Sequence, residues 1–482
     1  MCLKKNKISY LAWIILMLFS GAGCAFFSML FAELAGINMV VSAIIIVTAY
    51  YGIGFLIYYV TGKFCYKIPN LKITPMMQNV IKPLETILII VLVCIAFAIR
   101  AFLISEAGEE AAYYEVAKVG TEEDGSLLQT VQNSVYFYCV LLRGLYLIVG
   151  NNWIAGIWLQ IVLQIAGAVV FYFGLKKCVN QYTALFVYAF ILFTPFAISR
   201  GLTYSPQILF FFLYALVFYL LADFMERSKN EISSVSVGWW IYIVALGIGV
   251  GFLNYVDICG LTIYILLLCI PFFRRKYYTE FWKTATLLIL LISIGFFVLM
   301  MGIDSLLTGS SLGDVFRVWT QIYGVKHFSF DVLLYDLRPE FIILVALSCL
   351  GCFSFWRKEK TENFTPFVFM SFVTLLMVLF NITTTNMNGS YLLHILLAVL
   401  SAISTGEFYD KNIVNIEKEM NVEKEVEIME NTQTQQNVEL IRNPLPLPKK
   451  HAHKAMDYSF QPSKNQMKYD IFVSDDDDFD LK

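Results

Sequence analysis

NWIAGIWLQIVLQIAGAVVFYFGL, residues Asn152 to Leu175, runs for 24 residues without a charged side chain and stops at Lys176-Lys177. About 20 apolar residues in a helix cross the hydrocarbon core of a bilayer, so this stretch alone is long enough. Comparable runs lie near residues 8–32, 39–62, 86–104, 182–199, 207–224, 239–255, 257–273, 284–303, 340–356, 366–383 and 391–407. With 152–175 they make twelve predicted spans. VYFYCVLLRGLYLIVG (135–150) is apolar but short and carries Arg143; it reads as an interfacial or re-entrant helix. Counting it as a span would invert every later loop.

The composition of the 482 residues agrees: 58% are hydrophobic and only 15% charged, against about 45–50% and about 25% in soluble domains. The expected fold class is an all-α polytopic membrane protein. A net charge of −2 leaves no basic field for nucleic acid, so nucleic-acid binding is excluded. With the N-terminus inside, eighteen Lys and Arg fall in inner loops and six in outer ones, which the positive-inside rule favours. Both termini are then cytoplasmic. The basic start and the run to Ser20–Cys24 are expected to be an uncleaved anchor, since apolar sequence continues through Ala32.

Three regions follow: a hairpin with a basic inner loop (1–85), a membrane domain (86–409) and an acidic tail (410–482). The tail holds 15 acidic and 10 basic residues, with TQTQQN, NPLPLPKK and SDDDDFD segments. It buries too little apolar surface to order itself and is expected to be disordered in the cytoplasm, either as a plain solvated tail or as a docking segment for a cytoplasmic partner. Ten cysteines fall mostly within spans, so no disulfide framework or zinc pattern arises.

Outer loops differ sharply in size, and 105–151 and 304–339 are the two large ones. The first opens with SEAGEEAAYYEVAKVGTEEDG (Ser105 to Gly125), seven carboxylates within nineteen residues. If EEAAYYEVAKV is helical, Glu109 and Tyr113 share one face and Glu110 and Tyr114 the next. A solvated acidic loop is the plain reading of such a run. The interleaved alanines and aromatics argue instead for packing against the membrane body.

RAFLISEAGEEAAYYEVAKVG (Arg100 to Gly120) resembles the first outer loop of GT-C glycosyltransferases of the protein-mannosyltransferase and lipid A aminoarabinose-transferase type. There an arginine near a span end precedes an acidic pair, alanines and aromatics. The layout of Gln132 to Lys177, TPFAISRGLTYSPQILF (Thr194 to Phe210), GLTIYILLLCIPFFRRK (Gly260 to Lys276) and NMNGSYLLHILLAVL (Asn386 to Leu400) is similar too. The resemblance covers about 86–407. Two positions depart from it: the pair is Glu109-Glu110 rather than Asp-Glu, and Gln132-Asn133-Ser134 replaces a His-Pro turn.

The resemblance implies sugar transfer from a polyprenyl-phosphate carrier to an envelope glycan, lipid or protein at the outer face of a bacterial plasma membrane, with inversion. Such chemistry needs a carboxylate to take the proton of the attacking hydroxyl or to hold a divalent cation. Glu109 is the candidate base and Glu110 its partner. Charge developing on the leaving phosphate needs cations at headgroup level, for which Arg100, Arg200, Arg317, Lys326 and His327 are candidates, with Arg338 behind them. Each also fits a residue snorkelling to the interface. Tyr113 and Tyr114 fit either sugar stacking or an interfacial aromatic belt. A transporter or flippase of lipid-linked glycans, and a non-catalytic scaffold, are the competing classes.

Overall fold

The computed structural model describes residues 7–64, 75–104, 113–114, 117, 133–150, 152–179, 181–227, 237–273, 280–323, 339–349, 361–380 and 390–404. The chain divides into two units, Met1–Glu417 and Lys418–Lys482, and the described residues all belong to the first. Glu109, Glu110, Lys326, His327, Arg338 and the tail from Asp410 lie outside the described residues.

Every regular element among the described residues is helical, as lipid demands: it offers no partner for backbone N–H and C=O, so apolar chain must satisfy them within itself. In order these are α1 (Lys7–Ala35), α2 (Met39–Phe64), α3 (Pro75–Leu103), α4 (Asn133–Val149), α5 (Trp153–Cys178), α6 (Gln181–Phe193) and α7 (Pro195–Gly201). Then come α8 (Pro206–Arg227), α9 (Val237–Val256), a 3-10 turn (Ile258–Leu261), α10 (Thr262–Phe273), α11 (Glu280–Thr308), α12 (Leu312–Tyr323), α13 (Pro339–Cys349), α14 (Thr361–Leu379) and α15 (Ser390–Ser404).

Among the described residues six helices hold segments long and apolar enough to cross a membrane: Leu11–Glu33, Leu84–Leu103, Trp153–Cys178, Pro206–Arg227, Val237–Val256 and Phe281–Leu306. The bent pair α6–α7 makes a seventh if taken as one span. Shorter apolar stretches lie in α2, α4, α10, α14 and α15.

One expected span is broken. Residues 182–199 are not a single helix, because α6 ends at Phe193 and α7 departs at 55°. Pro195 lacks an N–H and fits the first turn of a new helix, while Thr194 caps it by accepting from Ala197 N. The span read at 257–273 likewise opens as a 3-10 turn, capped by Asp257 accepting from Cys259 N at 2.8 Å.

Contacts fix the direction of each strut. Arg100 of α3 meets Gln164 of α5, and Glu85 of α3 meets Lys176 of α5 at 2.5 Å, so these helices are antiparallel. The chain therefore leaves α3 and enters α5 at the same end, and α4 packs at that end through Tyr138 on Gln160 and Tyr146 on Tyr204. Its face of Tyr138, Cys139, Leu142 and Tyr146 is buried, whereas Leu147 and Ile148 are exposed. Gly150, at φ 86°, then reverses the chain before Asn152 caps α5.

α5 and α8 run parallel, linked by Gln160 to Ser205 N at one end and Lys177 to Asp223 at the other. α6 and α7 return between them. Their close packing is glycine-made: a Cβ on Gly174 would lie 2.9 Å from Phe218 Cδ1 and 3.0 Å from Tyr219 Cα. The pair α9–α11 uses Gly247 and Gly251, the small-residue spacing that lets helix backbones approach in lipid. A Cβ on Gly251 would stand 2.5 Å from the Ser293 carbonyl oxygen. Outward-facing Leu287, Leu291, Ile294 and Leu299 of α11 are all more than half exposed, the pattern of a surface solvated by acyl chains.

Gly251→Val is expected to lower thermal stability in detergent by about 1–3 kcal/mol, the usual cost of overpacking, because backbone cannot rotate away. Gly249→Ala, whose Cβ would sit 3.4 Å from Val217 Cγ2, leaves the melting temperature unchanged.

Candidate functional site

A buried polar cluster occupies the bundle at the Arg100 end. Arg100, fully buried, donates from Nε to Gln164 Oε1 at 3.0 Å and from Nη1 to the Ala96 carbonyl at 3.2 Å. Its Nη2 has no hydrogen-bond partner among the described residues. Gln164 Nε2 donates in turn to the Ala197 carbonyl at 2.7 Å and to the Tyr391 hydroxyl at 3.0 Å. One side chain of α5 thereby ties α3, α7 and α15 together.

Gln160, one turn earlier on α5, forms a second node. Its Nε2 donates to the Arg200 carbonyl at 2.8 Å and to the Thr203 carbonyl, and its Oε1 accepts from Tyr138 Oη at 2.5 Å and Ser205 N at 3.1 Å. This holds the turn between α7 and α8 against α4. Gly201 closes the α7 end for a steric reason: a Cβ there would collide with Gln164 Oε1 and lie 3.1 Å from Arg100 Nε.

Aromatic rings roof the cluster. Tyr113 meets Tyr138 edge-on at 5.9 Å, and Tyr114 meets Tyr146 at 5.6 Å. Tyr146 and Tyr204 share a hydroxyl–hydroxyl bond of 3.0 Å, and Tyr204 also donates to the Trp153 carbonyl. Burial pushes the Tyr146 phenol above its ordinary range, partly opposed by that bond to Tyr204. The Tyr146 phenol is therefore a neutral hydrogen-bonding group at neutral pH.

Arg200 lies with its Cζ 5.3 Å over the Phe196 ring. Phe196 stacks on His394 at 4.3 Å and contacts Tyr391 at 5.8 Å. His394 Nδ1 faces the Ser390 carbonyl at 2.9 Å; a carbonyl only accepts, so this nitrogen carries the proton. At the same end Asp304 of α11 accepts from Tyr255 Oη at 2.5 Å.

Of the residues singled out from the sequence, Arg100, Arg200, Tyr113 and Tyr114 belong to this end of the bundle. Arg317 is exposed on α12, a separate element. Gln160, Gln164, Tyr391 and His394 were not expected. The signal for the glutamines was present: two amides spaced i, i+4 fall on one face of an otherwise apolar span, where a polar group is costly unless partnered. Among the described residues no group of three or more His, Cys, Asp or Glu side chains could hold a metal ion.

Gln164→Leu strands the Arg100 Nε and is expected to cost about 1–3 kcal/mol for the unsatisfied donor, read as a fall in melting temperature in detergent. Gln164→Glu keeps the acceptor for Arg100 and adds an opposite charge but turns a carboxylate oxygen toward the Ala197 carbonyl, so it recovers only part of that loss. Equal melting of the leucine variant and the parent would refute this role for Gln164.

The chain matches no family model, no curated protein and no solved structure.

Proposed function

We propose that the protein is a membrane glycosyltransferase of the GT-C type, moving a sugar from a polyprenyl-phosphate carrier to a cell-envelope acceptor at the face that holds Arg100. Within this reading the bundle makes twelve crossings, both termini are cytoplasmic, the working face is the outer one, and the membrane is a bacterial plasma membrane. One observation carries it: a fully buried guanidinium is held in place at two of its nitrogens, with Nη2 unpartnered among the described residues. Such a group pairs with a phosphate oxygen at little reorganisation cost, since Arg is permanently charged and its fork is already oriented.

The chemistry is a single displacement. The acceptor hydroxyl oxygen attacks the anomeric carbon, and the carbon–oxygen bond to phosphate breaks with its electron pair passing to the phosphate. The hydroxyl proton goes to Glu109, with Glu110 beside it or the pair holding a divalent cation. Arg100 and Arg200 compensate the charge that grows on the leaving phosphate; Arg317, Lys326 and His327 supply the carrier's approach. Tyr113 and Tyr114 offer ring faces to the sugar.

A second reading, a transporter or flippase of lipid-linked glycans, draws on the 55° break between α6 and α7 beside buried polar side chains, since discontinuous helices line transport sites. A non-catalytic scaffold acting through the tail is the third.

Purified protein supplied with a polyprenyl-phosphate sugar and a hydroxyl-bearing cell-envelope acceptor is expected to release the free carrier phosphate. Glu109→Gln or Glu110→Gln should lower the rate about 10²–10⁴-fold, as for loss of a general base. Arg100→Lys should lower it about 10²–10³-fold, as for loss of one charge-stabilising donor. Deleting 410–482 should leave it intact. Carrier movement between leaflets of proteoliposomes without sugar transfer would favour the transporter instead.

A further inference from the structure

α12 follows α11 through a short turn in which Gly309 takes φ 65° and Ser305 Oγ donates to the Ser310 carbonyl at 2.6 Å. Ser311 caps it, accepting from Asp314 N at 3.2 Å and donating to Asp314 Oδ2 at 2.6 Å. At about 100° per residue the register puts Leu312, Val315, Phe316, Val318 and Trp319 on one arc. Asp314, Arg317 and Thr320 share the opposite one.

The described residues cover only part of the apolar arc. Trp319 meets the Phe297 ring of α11 at 5.3 Å and lies parallel to Phe316 at 6.2 Å, so the helix leans back against α11. Leu312 is 48% exposed and Phe316 52%. The helix that α12 leans on, α11, carries exposed Val298, Ile303 and Leu306 up to the turn, side chains that acyl chains solvate. An apolar arc anchored by Trp319 on such a helix meets the same solvent. The balanced pair Asp314 and Arg317 gives α12 no net charge to seek an acidic protein surface.

We propose that α12 is an interfacial helix seated in the protein's own bilayer, with Leu312 and Phe316 among the acyl chains and Arg317 and Thr320 toward headgroups and water. This holds whether the chain is an enzyme or a transporter.

The test uses the full chain in phospholipid nanodiscs, where both membrane faces meet water, and a membrane-impermeant maleimide. Thr320→Cys is expected to react in the nanodisc, whereas Phe316→Cys reacts only after detergent is added, with the parent chain setting the background. Leu312→Cys, on the same arc, repeats the measurement if the Phe316 variant fails to fold. Reaction at both positions would place α12 in water, and protection of both would place it under protein. Cross-linking of Phe316→Cys to a second copy would assign the face to self-association. Each of these three results overturns the proposal.

Discussion

The Arg100 guanidinium exists inside an apolar bundle because Gln164 and the Ala96 carbonyl accept two of its hydrogens. Burying an isolated charge costs far more than any single contact returns, so the helices that surround it must be placed to meet it. α5 supplies Gln164, which also bonds the carbonyl of α7 and the hydroxyl of Tyr391 on α15. The bend after Phe193 and the bare face of Gly201 then become requirements of that one charge. An unbroken α6 would carry the Ala197 carbonyl away from Gln164.

Hydrogen bonds between helices in membranes average only about 0.6 kcal/mol, so they do not by themselves hold the bundle. Close packing does that, through glycine contacts along α5–α8 and α9–α11 where ring and backbone atoms replace a missing Cβ. The polar network selects one arrangement among the well-packed ones. Its distribution follows this division: polar nodes at the Arg100 end, ion pairs Glu85–Lys176 and Lys177–Asp223 at the other, and apolar contact between.

Much of the fold was legible in the sequence because lipid imposes a simple rule on length and charge. The runs at 152–175, 207–224 and 239–255 became α5, α8 and α9 within a few residues, and the short 135–150 segment became α4. Less legible was the break at Thr194: apolar content is continuous there, and hydropathy has no term for a missing N–H, although the Thr-Pro pair announced it. In the polar cluster, the members that charge and aromaticity mark in the sequence are Arg100, Arg200, Tyr113 and Tyr114. The neutral partners Gln160, Gln164 and Tyr391 are not marked in this way, because their importance comes from what they touch across 22 to 227 residues of chain, and single-sequence patterns report only near neighbours.

The paired helices α3 and α5 also act as a gauge of depth. Between the Glu85–Lys176 and Arg100–Gln164 contacts they span roughly 20 Å at 1.5 Å per residue, which is shorter than the ~30 Å hydrocarbon core. Lys176, 38% exposed along its side chain, reaches the aqueous boundary on its side. Arg100 must then sit roughly 10 Å beneath the opposite boundary, sheltered by protein rather than by lipid. Any anion that meets it has to descend from the headgroup plane or find the bilayer drawn thin around the bundle, so the membrane's own elasticity becomes part of the cost of reaching the guanidinium.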